Sequence, residues 1–312
     1  MASVFLNQRV KQRKLVGSAP FPSTDARRVL ALLQQCPSAG QTPLTEIPAL
    51  APVASLWVKD ERARMGLGSF KALGAAYVIA CDALRAAGES PGSSALSGRT
   101  YVTASAGNHG MSVAAGARVF GATAVIYIAD TVPESFASRL RALKADVVRS
   151  GADYAASMAA AEGAAQANNW TLLSDSSWEG YIDLPYLLME GYLAMAVEII
   201  EQCPETPTHV MLQAGVGGMA GAVAAMMRDR WGDTPKIAVV EPDAAPALMA
   251  SVKAGHPLHA NGPDSVMGRL DCKEPSLIAL NGLARDADAF VTLSDSEVLD
   301  CLPALARHGM ET

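Results

Sequence analysis

Along this chain, short apolar runs rich in Val, Ile and Leu alternate with longer stretches whose apolar residues return every three or four positions. The first pattern predicts strands buried on both faces, and the second predicts helices with one face in a core. Strands are predicted at 55–59, 100–103, 122–128, 146–148, 170–173, 209–213, 237–240 and 289–293. Helices are predicted at 69–87, 107–120, 133–143 (with Pro133 in its first turn), 152–167, 184–202 and 219–228. Strand followed by helix, repeated in this way, implies an α/β architecture with mostly parallel sheets. Residues 85–97 read as a loop by composition, and 255–275 is the longest stretch without periodicity. A loop of that length in a compact fold is a candidate cover for an active site.

Composition narrows the function classes. The chain has 312 residues, half of them apolar and 18% charged, which suits one or two globular domains. A net charge of −6 without a long Lys/Arg run argues against nucleic acid as a partner. No apolar run approaches the ~20 residues of a membrane span. Arg9, Lys11, Arg13 and Lys14 precede the first acid without the apolar run of a secretory signal, so they read as a solvated basic turn. Cys36, Cys81, Cys203, Cys272 and Cys301 are odd in number and lack paired spacing. They read as reduced thiols of a cytoplasmic protein. His256 and His259 flank Pro257 in a loop, and no metal site is expected there.

Two segments carry candidate chemistry. Lys71 lies just inside a helix whose next residues, Ala72, Leu73, Ala75, Ala76, Val78 and Ile79, are apolar. Desolvation there would lower its pKa and expose a free amine able to form a Schiff base with a carbonyl. A lysine snorkelling off the helix end is the alternative. Further on, Gly215-Val216-Gly217-Gly218-Met219-Ala220-Gly221 follows a strand and opens a helix. Backbone N–H groups at such a turn, with the helix dipole behind them, suit a phosphate. The spacing also fits a dinucleotide loop, with Glu241 as the ribose-binding acid 24 residues after Gly217, so an NAD-dependent oxidoreductase stands as a rival class. That rival leaves Lys71 and Ser105-Ala106-Gly107-Asn108-His109-Gly110 without a role. A cofactor with one phosphate and one aldehyde, pyridoxal phosphate, uses all three segments.

With these motifs in hand, residues 40–312 resemble the fold-type-II pyridoxal phosphate enzymes, and within them the diaminopropionate ammonia-lyases. The likeness rests on Gln41-Thr42-Pro43-Leu44, Gly68-Ser69-Phe70-Lys71, Gly107-Asn108-His109-Gly110, Asp175-Ser176-Ser177-Trp178-Glu179-Gly180-Tyr181, Met189-Glu190-Gly191-Tyr192 and the glycine loop. The resemblance implies two domains, each with a twisted, mostly parallel sheet flanked by helices. The smaller is expected at 85–190, and the larger at 1–84 plus 191–312. It implies that Lys71 carries the cofactor, with Phe70 beside the ring and Asn108 on the ring hydroxyl. Gly215, Val216, Gly217, Gly218 and Met219 would cradle the phosphate. Ser105, Ala106 and Gly107 would meet the carboxylate of a small amino-acid substrate. Asp175 would take part in proton transfer with its pKa raised by burial, although a turn-forming Asp is an equal reading of that residue. A homodimer is also implied.

The expected reaction is α,β-elimination of 2,3-diaminopropionate to pyruvate and ammonia. Two departures from the family bear on it. Ala106 stands where these lyases commonly carry an aspartate, which favours a serine/threonine-type dehydratase as the alternative. The segment that places Ser or Thr on the pyridine nitrogen is expected to begin about where the chain reaches Thr312. A catalytically silent relative is therefore a third expectation.

Overall fold

In a computed structural model of the chain, residues 2–88 and 90–310 are described. One sheet has the order β1-β10-β9-β8, formed by Ser3–Leu6, Ala289–Leu293, Lys236–Pro242 and His209–Gln213. Its last three strands are parallel, and β1 runs antiparallel on β10, with Val4 opposite Val291. A second sheet, all parallel, has the order β6-β5-β4-β7: Asp146–Arg149, Thr123–Ile128, Thr100–Ala104 and Thr171–Leu172. A small antiparallel pair, β2 (Leu44–Glu46) and β3 (Trp57–Lys59), precedes a short 3₁₀ segment at Glu61–Gly66.

The helices are α1 (Arg27–Gln34), α2 (Lys71–Ala87), α3 (Asn108–Val119), α4 (Glu134–Ala142), α5 (Tyr154–Asn168), α6 (Asp183–Gly191), α7 (Leu193–Gln202), α8 (Gly218–Trp231), α9 (Ala247–Ala254), α10 (Leu277–Asp286) and α11 (Asp295–Arg307). Helices α2 and α3 cross closely because Gly116 has no side chain; a Cβ there would lie 3.0 Å from Ile79 Cδ1. Ile79, Val113, Ile126 and Leu140 are fully enclosed beneath this crossing. Burying each such side chain is worth roughly 1.5–3 kcal/mol relative to exposure. Among the described residues, no helix is long and apolar enough to cross a membrane.

Two local expectations change. The strand at His209–Gln213 was expected to be buried, yet it lies at a sheet edge, pairs with β9, and leaves Met211 62% exposed. The apolar run Val210-Met211-Leu212 reports burial only when neighbours exist on both sides. The single helix expected at 184–202 divides at Tyr192, where Gly191 passes so close to α2 that a Cβ would lie 2.5 Å from Leu73 O. The expected basic N-terminal turn does form at Lys11–Gln12, but only after a strand at Ser3–Leu6 whose partner lies almost at the other end of the chain. The boundaries expected for the smaller domain, 85 and 190, fall inside α2 and α6.

Candidate active site

The C-terminal ends of parallel strands are where α/β proteins expose loops for chemistry. The half-buried run Ser105–Asn108 leaves β4 in this position, with Asn108 opening α3. Gly110 makes the run possible, since a Cβ there would lie 2.4 Å from Ser105 O. Ser105 Oγ accepts the Gly107 N–H, and Ser112 Oγ donates to Ala72 O, which ties α3 to the first turn of α2.

Lys71 is the first residue of α2. It follows a tight turn in which Met65, Gly66 and Gly68 have positive φ (50°, 70° and 77°). A buried charge network holds this turn. The Arg64 guanidinium, 2% exposed, donates to Glu198 Oε1 and Oε2 at 2.8 and 2.7 Å and to Glu61 Oε1 and Oε2 at 2.7 and 2.8 Å. Lys59 Nζ adds a contact to Glu198 at 2.7 Å.

The side chain of Lys71 does not snorkel. Its Nζ forms an ion pair with Asp175 Oδ2, although the two residues lie 104 positions apart. Nζ also lies 6.0 Å from the centroid of the Phe70 ring. The free amine expected from desolvation is therefore corrected. Burial does push the Lys71 pKa down, but the Asp175 carboxylate outweighs it and holds the ammonium above the usual lysine range. The raised carboxyl expected of Asp175 is corrected by the same pairing. Burial raises its pKa, while Lys71 and then His109 pull it far below the usual carboxylate range.

Asp175 is presented by a clamped loop. Tyr181 stacks on Trp178, with ring centroids 4.3 Å apart. Its hydroxyl accepts the Ser174 N–H at 3.0 Å and donates to Leu172 O at 2.9 Å. Ser177 and Ser276 share a hydroxyl hydrogen bond of 2.7 Å, and Ser276 N–H donates to Val216 O. The Asp175 loop, the glycine loop and the start of α10 thus form one unit. A serine-type turn is present here, but Ser174 Oγ makes it by accepting the Ser176 N–H, which leaves the Asp175 carboxylate for Lys71.

The glycine loop closes this unit. Gly217 caps α8 at φ 96°, a left-handed conformation that suits glycine. Among the described residues, the N–H groups of Gly217, Gly218 and Met219 meet no acceptor. These are the orphan donors of a helix N-terminus. A Cβ on Gly218 would lie 3.7 Å from Asp175 O, which puts the cradle beside the ion pair. A Cβ on Gly215 would lie 2.8 Å from Cys272 Sγ, so the irregular 255–275 stretch reaches over the loop. One primary amine and a row of free amides in one place fit a group bearing an aldehyde and a phosphate.

Three residues near the ion pair were not given roles from sequence. His109 Nε2–H donates to Leu173 O at 2.8 Å, while its buried Nδ1 has no partner among the described residues. Burial lowers the His109 pKa and keeps the ring neutral. Tyr192 and Cys272 also face Lys71 and Asp175, and burial raises both pKa values, that of Cys272 to about 11. His109 lies in the Gly107–Gly110 motif and Tyr192 in the Met189–Tyr192 motif, whereas nothing in the sequence marks Cys272. Glu241 is excluded as a ribose ligand: it is 1% exposed and accepts the N–H groups of Leu248 and Met249, both at 2.8 Å, at the start of α9. An apolar cavity of about 400 Å³ lies against Leu73, Ala76, Tyr77 and Ala80 of α2, and none of the site residues lines it.

Comparison with known proteins gives a consistent result. The family described as pyridoxal-phosphate dependent enzyme matches residues 36–312. Diaminopropionate ammonia-lyase of Salmonella typhimurium is 33% identical over 290 residues, covering 86% of this chain and 72% of that protein. The crystal structure of the Escherichia coli diaminopropionate ammonia-lyase in complex with D-serine superimposes with a TM-score of 0.84 at 30% identity, covering 95% of this chain and 78% of that one. The same enzyme in complex with an aminoacrylate-PLP azomethine reaction intermediate gives 0.83, with coverage of 95% and 77% at the same identity.

Proposed function

The chain belongs to the pyridoxal-phosphate dependent enzymes, and within them to the diaminopropionate ammonia-lyase family; on that premise we propose that it catalyses α,β-elimination of 2,3-diaminopropionate to pyruvate and ammonia. The observation that carries this reading is the Lys71–Asp175 ion pair lying beside the uncommitted amides of α8. Lys71 would hold pyridoxal phosphate through Nζ, and Gly215 to Met219 would hold its phosphate through backbone N–H groups. Phe70 and Asn108 would flank the ring, and Ser105 to Gly107 would orient the substrate carboxylate. When bound, the cofactor supplies an aldehyde for the substrate α-amine and an electron-withdrawing ring that acidifies the α-proton.

The chain's own groups then manage protons. Neutral Lys71 Nζ is the base for the α-proton. Asp175 Oδ2, in contact with Nζ, is the next acceptor along that path. The pairing also sets when Asp175 can work. While Lys71 is an ammonium ion, Asp175 stays ionised. Once that charge is gone, burial dominates and the Asp175 pKa rises, so the carboxyl can hold a proton and pass it to the departing β-amine. Ala106, between Ser105 and Gly107, offers no second carboxylate on its side of the site. One enantiomer of the substrate should therefore be favoured.

The same proposal includes residues 85–190 as the smaller domain, a cytoplasmic location and a homodimer, the last to be read by sedimentation. The test is ammonia release from L- and D-diaminopropionate, L-serine and L-threonine by the wild type and Lys71→Ala. Turnover on diaminopropionate that Lys71→Ala abolishes supports the reading. Faster turnover on serine or threonine moves the assignment to a dehydratase, and turnover retained in Lys71→Ala refutes the role of Lys71.

A further inference from the structure

Tyr192 occupies an unusually cleared place. Its ring passes between the first turn of α2 and the start of α8, edge-on to Phe70 with centroids 5.2 Å apart and planes at 75°. Gly74 makes room on one side, where a Cβ would lie 2.8 Å from Tyr192 Cε1. Gly218 lies on the other, its Cβ position 3.7 Å from Tyr192 Cε2. Gly191 lets the backbone of this residue come against Leu73. Packing of the ring alone would be served as well by phenylalanine, because Tyr192 is 2% exposed and its ring lies against Phe70 and beside Gly74.

The hydroxyl therefore needs its own explanation. Among the described residues it has no hydrogen-bond partner, and it is not one of the fully enclosed polar atoms left unsatisfied. The ring is buried while its oxygen keeps access to open space, so a ligand or water can complete the hydroxyl there. Burial raises the pKa of the phenol and outweighs the opposing Lys71 ammonium, with the Asp175 carboxylate adding to burial, so the hydroxyl stays protonated and is a donor. Gly218, beside the ring, is also one of the residues whose N–H is uncommitted among the described residues.

We propose that Tyr192 completes the anion cradle: its hydroxyl donates a hydrogen bond to the phosphate held at the N-terminus of α8. The inference rests on the reading of the site as a pyridoxal phosphate site, and it assigns that phosphate a side-chain donor besides the glycine amides.

The test uses Tyr192→Phe, which keeps the ring and removes one oxygen. Dissociation constants are measured by intrinsic fluorescence for pyridoxal phosphate, for pyridoxal, which lacks the phosphate, and for inorganic phosphate. The expected result is a loss of affinity of about tenfold or more for pyridoxal phosphate and inorganic phosphate. Pyridoxal binding and the thermal midpoint of the ligand-free protein should stay unchanged. Equal weakening of pyridoxal and pyridoxal phosphate would overturn the inference, since the phenol would then serve the ring side. Unchanged affinity for all three would overturn it as well. If the wild type captures no pyridoxal phosphate but Tyr192→Phe still weakens inorganic phosphate, the cradle stands and the cofactor reading fails. Binding of neither phosphate compound to the wild type overturns both.

Discussion

Replacing Asp175 by asparagine should have two effects of opposite sign. In the wild type, Lys71 Nζ and Asp175 Oδ2 are in contact, with side chains only 24% and 15% exposed. Two unit charges about 4 Å apart at an effective dielectric near 20 attract by roughly 4 kcal/mol, and partial solvent access trims this to about 2–4 kcal/mol. Without the carboxylate, burial alone acts on Lys71, and burial favours the neutral amine. At 1.36 kcal/mol per tenfold, the neutral fraction at neutral pH rises on the order of 30- to 1,000-fold. The rate at which ligand-free protein captures pyridoxal phosphate, followed by stopped-flow absorbance across pH 6 to 10, should rise accordingly, and its pH dependence should move to lower pH. Turnover of diaminopropionate should fall, because the next acceptor for the proton is gone. Unchanged capture kinetics would refute the claim that Asp175 governs the charge of Lys71. Faster capture with unchanged turnover would leave Asp175 as an electrostatic partner without a part in proton transfer.

Other consequences follow from the buried charges. Glu198→Gln should destabilise the fold by about 3 kcal/mol or more in urea denaturation, since Lys59 and Arg64 would stay buried with their neutralising partner weakened. Burial raises the Glu198 pKa, but hydrogen bonds from Arg64 and Lys59 outweigh it and leave it lowered. Its contribution is thus present at neutral pH and lost as pH falls below the ordinary glutamate range, so the gap between wild type and variant should narrow in acid. Glu241 has the opposite sign: burial raises its pKa from 4.5 to about 7 despite the Leu248 and Met249 amides. The folded state holds this proton more tightly, so wild-type stability should decline between about pH 4.5 and 7 relative to Glu241→Gln. A parallel pair of pH–stability curves would refute that assignment.

Much of the architecture could be read from local patterning. Short apolar runs placed β4, β5, β6, β9 and β10, and three- and four-residue periodicity placed α2, α3, α5 and α8 close to their observed limits. The glycine loop was legible because strand, small residues and helix are contiguous, and so was Lys71 at the head of α2. Periodicity could not report β1, a four-residue strand whose faces are mostly exposed, or the edge position of β8, because both depend on which strand lies alongside. It also could not report that Gly191 breaks the helix at 184–202, since the cause is the backbone of α2, distant in sequence.

The division is clearest at the site. The sequence by itself determined the fold class, the candidate amine and the candidate anion cradle, because each is a local matter of residue type and spacing. Only the tertiary structure decided the charge of that amine. The carboxylate that holds Lys71 protonated comes from a loop 104 residues away, clamped by Tyr181 and Ser276. Cys272 over Gly215 and Tyr192 beneath Gly218 were likewise placed by packing between distant segments. Burial and pairing act oppositely on an ionisable group, and their balance is a property of three-dimensional distance, which no local pattern encodes.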